Sequence, residues 1–190
     1  MSQKTSVGLV VLTKLPGMGG VVAVLQVRGT FNHEKMARES WPGACQVTCH
    51  GGAEEGEDTI KTLEREFEEE CGIRFSDIAP YFRSAMTELI RKDDDKPVVT
   101  YGLLIEDPSF LKVLKLNTST GGIHLLQREQ LNELIDLRTI DKVRGVTDRR
   151  TIAMFPDEIA AVRMAFDILA PDAGAEAPIL TFLTIFLAAA

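Results

Sequence analysis

The chain alternates short apolar runs with polar, glycine-rich breaks, and the runs follow two different periods. Residues 6–14 (SVGLVVLTK) and 21–28 (VVAVLQVR) are dense in Val and Leu and too short to span a membrane. They read as two strands joined by the turn Pro16-Gly17-Met18-Gly19-Gly20. Residues 29–43 form a polar loop, and residues 44–50 (ACQVTCH) alternate as a short strand aimed at Gly51. Ser76 and Asp77 mark a turn. Residues 81–91 read as a strand broken by polar positions, 91–97 (RKDDDKP) as a charged hairpin turn, and 98–106 (VVTYGLLIE) as the returning strand. Residues 107–122 are irregular, and 123–126 make the last strand. Leu131, Leu134 and Ile135 have helical spacing within 128–137, and a final helix starts at Phe155-Pro156-Asp157 and runs to about Leu169. Strands, one acidic helix, more strands and then helices, without internal repeats, predict an α/β (α+β) fold with a mixed sheet between helices.

The acidic helix lies within residues 51–73, GGAEEGEDTIKTLEREFEEECGI. At about 100° per residue from Glu66, Glu69 falls near −60° and Glu70 near +40°, so the three carboxylates share one arc of roughly 100°. Leu63, Phe67 and Ile60 follow at about 60°, 100° and 120° as the stripe that docks the helix, leaving Lys61, Glu64 and Glu68 to solvent. Like charges on adjacent turns repel, so the cluster disfavours an isolated helix. A hard divalent cation reverses that sign, because clustered oxygen ligands suit Mg2+ or Mn2+.

The same stretch resembles the Nudix box. Gly51, Glu57, Arg65-Glu66-Phe67, Glu69-Glu70 and Gly72-Ile73 fill all nine of its specified positions at the required spacing. A chance match at one start position is on the order of one in a billion at average residue frequencies. A solvated acidic helix would account for any two of the glutamates, but not for the glycines, the arginine and the apolar positions together. The resemblance implies an α/β/α sandwich with the box as loop–helix–loop. It also implies hydrolysis of a nucleoside diphosphate linked to another moiety. By the same resemblance Glu66, Glu69 and Glu70 hold Mg2+ (or Mn2+), and the Gly51 carbonyl joins them. Glu57 and Arg65 then support the carboxylates from behind, and Glu69 or Glu70 serves as base. Arg28 is placed by the resemblance as a phosphate contact. Trp41, the only tryptophan, is a candidate for stacking on a base, and His50, next to the box, for touching substrate. Many relatives carry a further carboxylate near the last strand; here Gly121-Gly122-Ile123-His124 has none. Glu106 and Glu129 are the alternatives, Glu129 being the candidate extra base.

Composition narrows the partners. A net charge of −7 and a pI near 5.1 offer no basic field for nucleic acid or an anionic membrane. A small phosphorylated nucleotide remains compatible, because a metal ion supplies positive charge locally. Three cysteines without a CxxC pair point to a reduced cytoplasmic protein rather than a disulfide framework, and the N-terminus lacks the pattern of a signal peptide. Residues 1–170 read as one hydrolase domain. The uncharged stretch 178–190 (PILTFLTIFLAAA) follows a linker; its 13 residues fall short of the roughly 20 a membrane span needs, and its role is left open. A homodimer is also left open. Two rival functions stand beside hydrolysis. One is an isopentenyl-diphosphate-isomerase-like enzyme, which the stretch CQVTCHGG resembles faintly. The other is a non-catalytic Nudix-like nucleotide sensor, although sensors usually lose one of the glutamates.

Overall fold

The computed structural model describes residues 4–17, 19–33, 35–82, 85–116, 119–148 and 150–171. The strands are β1 (Ser6–Lys14), β2 (Val21–Arg28), β3 (Phe31–Asn32), β4 (Ala37–Arg38), β5 (Cys45–Gln46), β6 (Cys49–Gly52), β7 (Thr87–Lys92), β8 (Val98–Ile105), β9 (Thr120–Gln127), β10 (Ile135–Asp136) and β11 (Ala153–Met154). The helices are α1 (Thr59–Cys71), the single turn α2 (Phe75–Ile78) and α3 (Pro156–Leu169). The main sheet is mixed. β1 and β8 run parallel over eight residue pairs, from Ser6–Val98 to Thr13–Ile105, whereas β1–β2, β1–β6, β2–β9 and β7–β8 are antiparallel.

Each face of that sheet is covered by a different helix. Leu63, Phe67 and Cys71 of α1 pack with Phe75 and Ile78 against Val7, Leu9, Val24 and Leu103. Ala161, Val162, Ala165 and Phe166 of α3 pack against Val10, Leu12, Leu25 and Leu126 on the other face. Alternate residues of β1 and β2 thus feed opposite cores, which is why both strands read as continuous apolar runs. The architecture is the expected α/β/α sandwich with a mixed sheet.

Four local expectations are corrected. Residues 44–50 are not one strand: β5 pairs with β2 and β6 with β1, and the chain crosses between them at Val47-Thr48. There the Thr48 hydroxyl accepts from Val11 N (2.8 Å) and donates to Val24 O (2.5 Å), satisfying two groups where β1 and β2 part. Residues 128–137 do not form an α-helix but a 310 segment, Arg128–Glu133, followed by β10, whose pairing with β11 overrides the helical spacing. The loop 29–43 carries the small hairpin β3–β4. The broken strand at 81–91 shrinks to β7, with Phe82 contributing only an isolated bridge to Ile105. The apolar tail at 178–190 lies outside the described residues. Among the described residues, no helix is long and apolar enough to cross a membrane.

Candidate active site

Helix α1 is fixed at both ends by its own sequence. Asp58 caps the N-terminus, accepting from Ile60 N (3.0 Å) and Lys61 N (2.8 Å). Gly72 closes the other end at φ 67°, a left-handed conformation that glycine adopts without a side-chain clash. Phe67 meets Phe75 edge-on at 5.4 Å, which sets the rotation of the helix. Burying Leu63, Phe67 and Cys71 turns Glu66, Glu69 and Glu70 towards β6 and the end of β2.

There they line a cavity of about 330 Å³ together with Arg28, Lys35, Glu39 and His50. Glu70 is the innermost carboxylate. Its Oε2 accepts from His50 N (3.0 Å) and from Gln26 Nε2 (3.3 Å), and burial pushes its carboxyl up to about 7, with the nearby Glu66 adding to the shift. Glu66 is also shifted upward by burial and by the charge of Glu69, against the opposing pull of Arg65. Its Oε1 accepts from Gly52 N (3.2 Å) and Arg65 Nη1 (2.9 Å).

Behind the carboxylates, Arg65 forks onto Glu57, with Nε to Oε1 at 2.9 Å and Nη2 to Oε2 at 3.0 Å. Its remaining donors reach Gly52 O (2.9 Å), Glu66 and Glu69 Oε2 (3.1 Å). Glu57 also accepts from Glu54 N (2.9 Å) and Thr62 Oγ1 (3.1 Å), and these bonds, led by Arg65, hold its carboxyl down at about 2. One guanidinium therefore ties the loop 52–57 to the helix.

Arg28 enters from the opposite wall. A bulge between Val27 and Arg28 shifts the β2–β9 register at the strand end. The Arg28 Nη1 then donates to Glu39 Oε1 (3.2 Å) and Ser40 O (3.1 Å). Burial and the Arg28 charge keep the His50 imidazole below its ordinary pKa, so it favours the neutral form.

The family model for the NUDIX domain matches residues 4–142. The chain belongs to the Nudix family. Solved structures of the same fold include the NUDIX domain of Shewanella oneidensis NrtR complexed with ADP ribose (14% identity, 88% of this chain and 88% of that one, TM-score 0.55). Others are a mutT/nudix family protein from Listeria innocua (16%, 88% and 94%, TM-score 0.54) and a MutT/nudix family protein from Enterococcus faecalis (18%, 88% and 62%, TM-score 0.51). No curated protein matches the chain.

Nudix hydrolases generally use divalent metal ions. Among the described residues, no three acidic, histidine or cysteine side chains are already gathered into a metal cage; Arg65 instead draws Glu66 and Glu69 to one nitrogen. The donor set nonetheless fits a hard cation. Glu66, Glu69 and Glu70 face one cavity, and both Glu66 and Glu70 carry repulsion that a cation would relieve.

The other expected residues divide. Arg28 and His50 line the Nudix cavity, and so does Lys35 from the segment between β3 and β4. Trp41 does not: its Nε1 donates to Ile140 O (3.1 Å) and its ring meets Phe155 edge-on at 5.3 Å. Glu129 is exposed beyond the far end of β9, where Gln127 pairs with Val22, whereas the cavity meets that strand at Thr120. Glu106 does not line the cavity either. The carboxylate outside the box that does line it is Glu39, from the loop after β4. Gln26 was likewise missed, although a glutamine inside the apolar run VVAVLQVR was the available signal.

Proposed function

We propose that this Nudix chain hydrolyses the diphosphate linkage of a nucleoside diphosphate joined to another moiety. Glu66, Glu69 and Glu70, with the Gly51 carbonyl, would hold Mg2+ or Mn2+. The observation that carries this reading is one cavity with three box carboxylates on one wall and Arg28 and Lys35 on the other. That arrangement suits an anionic diphosphate shared between cations and a carboxylate-held metal. When bound, the metal would neutralise diphosphate oxygens and acidify the attacking water.

The remaining work belongs to the chain's own groups. Arg28, fixed by Glu39, and Lys35 receive phosphate oxygens and orient the scissile bond. Arg65, braced by Glu57, holds Glu66 and Glu69 against the loop. Glu69 or Glu70, both facing the cavity, takes the proton of the attacking water. The cysteines of CQVTCHGG lend the isomerase-like alternative no support, because Cys45 and Cys49 are buried and neither lines the cavity. Three buried free thiols fit a reducing compartment such as the cytoplasm.

The test is a panel of nucleoside triphosphates, nucleotide sugars and ADP-ribose, assayed for phosphate-containing products with Mg2+ and with Mn2+. Glu70→Gln should nearly abolish turnover while leaving the circular dichroism unchanged. Unchanged turnover in that variant, or conversion of isoprenoid diphosphates alone without hydrolysis, overturns the reading.

A further inference from the structure

β9 is an edge strand whose outer side is open. Arg28 N donates to Ala44 O (2.8 Å) and Gly29 N to Ser119 O (2.9 Å), so even-numbered residues of β2 face β5 and odd-numbered ones face β9. Val27, Leu25 and Ala23 therefore bond across to Gly122, His124 and Leu126. The residues between those, Ile123 and Leu125, turn their N–H and C=O groups away from β2. Gln127, next in that series, spends its N–H on Gln130 Oε1 (3.0 Å). Among the described residues, β9 pairs with no strand but β2. The edge strand on the opposite side of the sheet, β7, carries Glu88, Arg91 and Lys92, charges of the kind that discourage further pairing. β9 (TGGIHLLQ) has no Asp, Glu, Lys or Arg.

We infer that this open edge is a docking site for the chain's own apolar tail, residues 179–186 adding to β9 as one further antiparallel strand. The path is short. Arg128, directly after β9, donates to Phe166 O (2.6 Å) and Ala170 O (2.8 Å) at the end of α3. The chain therefore leaves α3 beside the Gln127 end of β9, and a segment running back along the strand from there is antiparallel to it. Residues 171–177 (PDAGAEA) supply the turn, longer than the roughly 2–5 residues a hairpin loop needs. Residues 179–186 (ILTFLTIF) match the eight residues of β9 in length, and six of them are Ile, Thr or Phe, which favour strands. Neither partner bears a charged side chain, so pairing buries none. Left in water, such a segment would be prone to stack with other copies. It is too short to span a membrane and has no charged face for lying on one. A short tether holds the tail near β9 at an effective concentration of about millimolar, which favours this edge over the same edge of a second copy.

Amide hydrogen exchange on the full chain, resolved by residue, tests the docking. The Ile123 and Leu125 amides have no acceptor among the described residues, yet they should exchange at least about 100-fold more slowly than unpaired peptide amides. Phe182→Pro and Leu183→Pro, made singly, remove an N–H from each side of the tail strand in turn. At least one of them should speed both amides about tenfold, while the amides of Val10 and Leu12 in the middle of the sheet stay as slow as in the parent. Phe182→Tyr should keep the protection. Fast exchange of Ile123 and Leu125 in the parent overturns the proposal, and so does protection that survives both prolines. Protection that fades on dilution, together with a halving of the mass seen by light scattering, would assign the edge to a second copy and overturn it equally.

Discussion

Gly51 and the carboxylate of Glu66 lie so close that no other residue fits at position 51 without moving the acid. A Cβ there would sit 1.7 Å from the Glu66 carboxyl carbon and 2.1 Å from each oxygen. The obstructed group is the end of a side chain, so the molecule can relieve the clash by swinging Glu66 aside. Gly51→Ala should therefore cost much activity and little stability. We expect kcat to fall by roughly 100-fold, the scale of a misplaced catalytic group, with Tm nearly unchanged. Activity near that of the parent would show that Glu66 need not stay where it is.

Arg65 joins Glu57 through two parallel hydrogen bonds while spending its other donors on Gly52, Glu66 and Glu69. A lysine keeps the charge but cannot make this fork. Arg65→Lys should lower kcat/KM by about 10- to 100-fold, as expected when a group that orients ligand carboxylates is lost. Cation affinity, read by titrating Mn2+ against the rate, should weaken in parallel. A variant with full activity and unchanged Mn2+ dependence would separate the fork from catalysis.

The box was legible from sequence because its function depends on helical spacing. Glu66, Glu69 and Glu70 had to share an arc once Leu63 and Phe67 were buried, and the structure puts all three on one cavity. β1, β2, β8 and α3 were legible because each carries a long apolar pattern. The opposite wall was not. Lys35, Glu39, Ser119 and Thr120 reach the cavity from segments without periodicity, brought together by the β2–β9 pairing and the β3–β4 hairpin. Trp41 was legible only by residue type, which suits packing as well as stacking on a ligand; the fold sets the ring against Phe155 and Lys142.

Glu158, at the start of α3, provides a pH test away from the carboxylate cluster. It accepts from Phe155 N (3.3 Å) and Val47 N (3.5 Å), yet burial pushes its carboxyl up to about 7 from the usual 4.5. Between those values the folded chain keeps a proton that the unfolded chain releases, so this group's contribution to stability declines as pH rises from about 4.5 to 7 and is level above. Depressed His50 and His124 act in the opposite direction, so the whole protein's curve mixes signs. The difference between Glu158→Gln and the parent isolates the group. In metal-free buffer the variant's Tm advantage should grow by a few degrees over that window, at about 2–4 °C per kcal/mol for a chain of this size. A difference that is flat, or that shrinks with rising pH, would contradict the buried-carboxyl account.

Gln26 is 4% exposed and connects four groups at the cavity floor. Its Nε2 donates to Thr48 O (2.8 Å) and Glu70 Oε2 (3.3 Å), and its Oε1 accepts from Gln46 Nε2 and Thr120 Oγ1, both at 3.3 Å. Gln26→Leu keeps similar bulk and removes every one of these bonds. The Thr48 carbonyl then keeps only the weak Cys71 Sγ donor at 3.9 Å, a loss of about 1–3 kcal/mol, so Tm should fall by roughly 2–10 °C. Glu70 simultaneously loses its lateral anchor, and kcat should fall about tenfold as the carboxylate spreads over more orientations. The double variant decides whether the two effects share a cause. If Gln26 acts through Glu70, Gln26→Leu should cost little further rate on a Glu70→Gln background while still lowering Tm. A second tenfold loss there would mean that Gln26 serves the reaction independently, through Thr120 or Gln46 on the opposite wall.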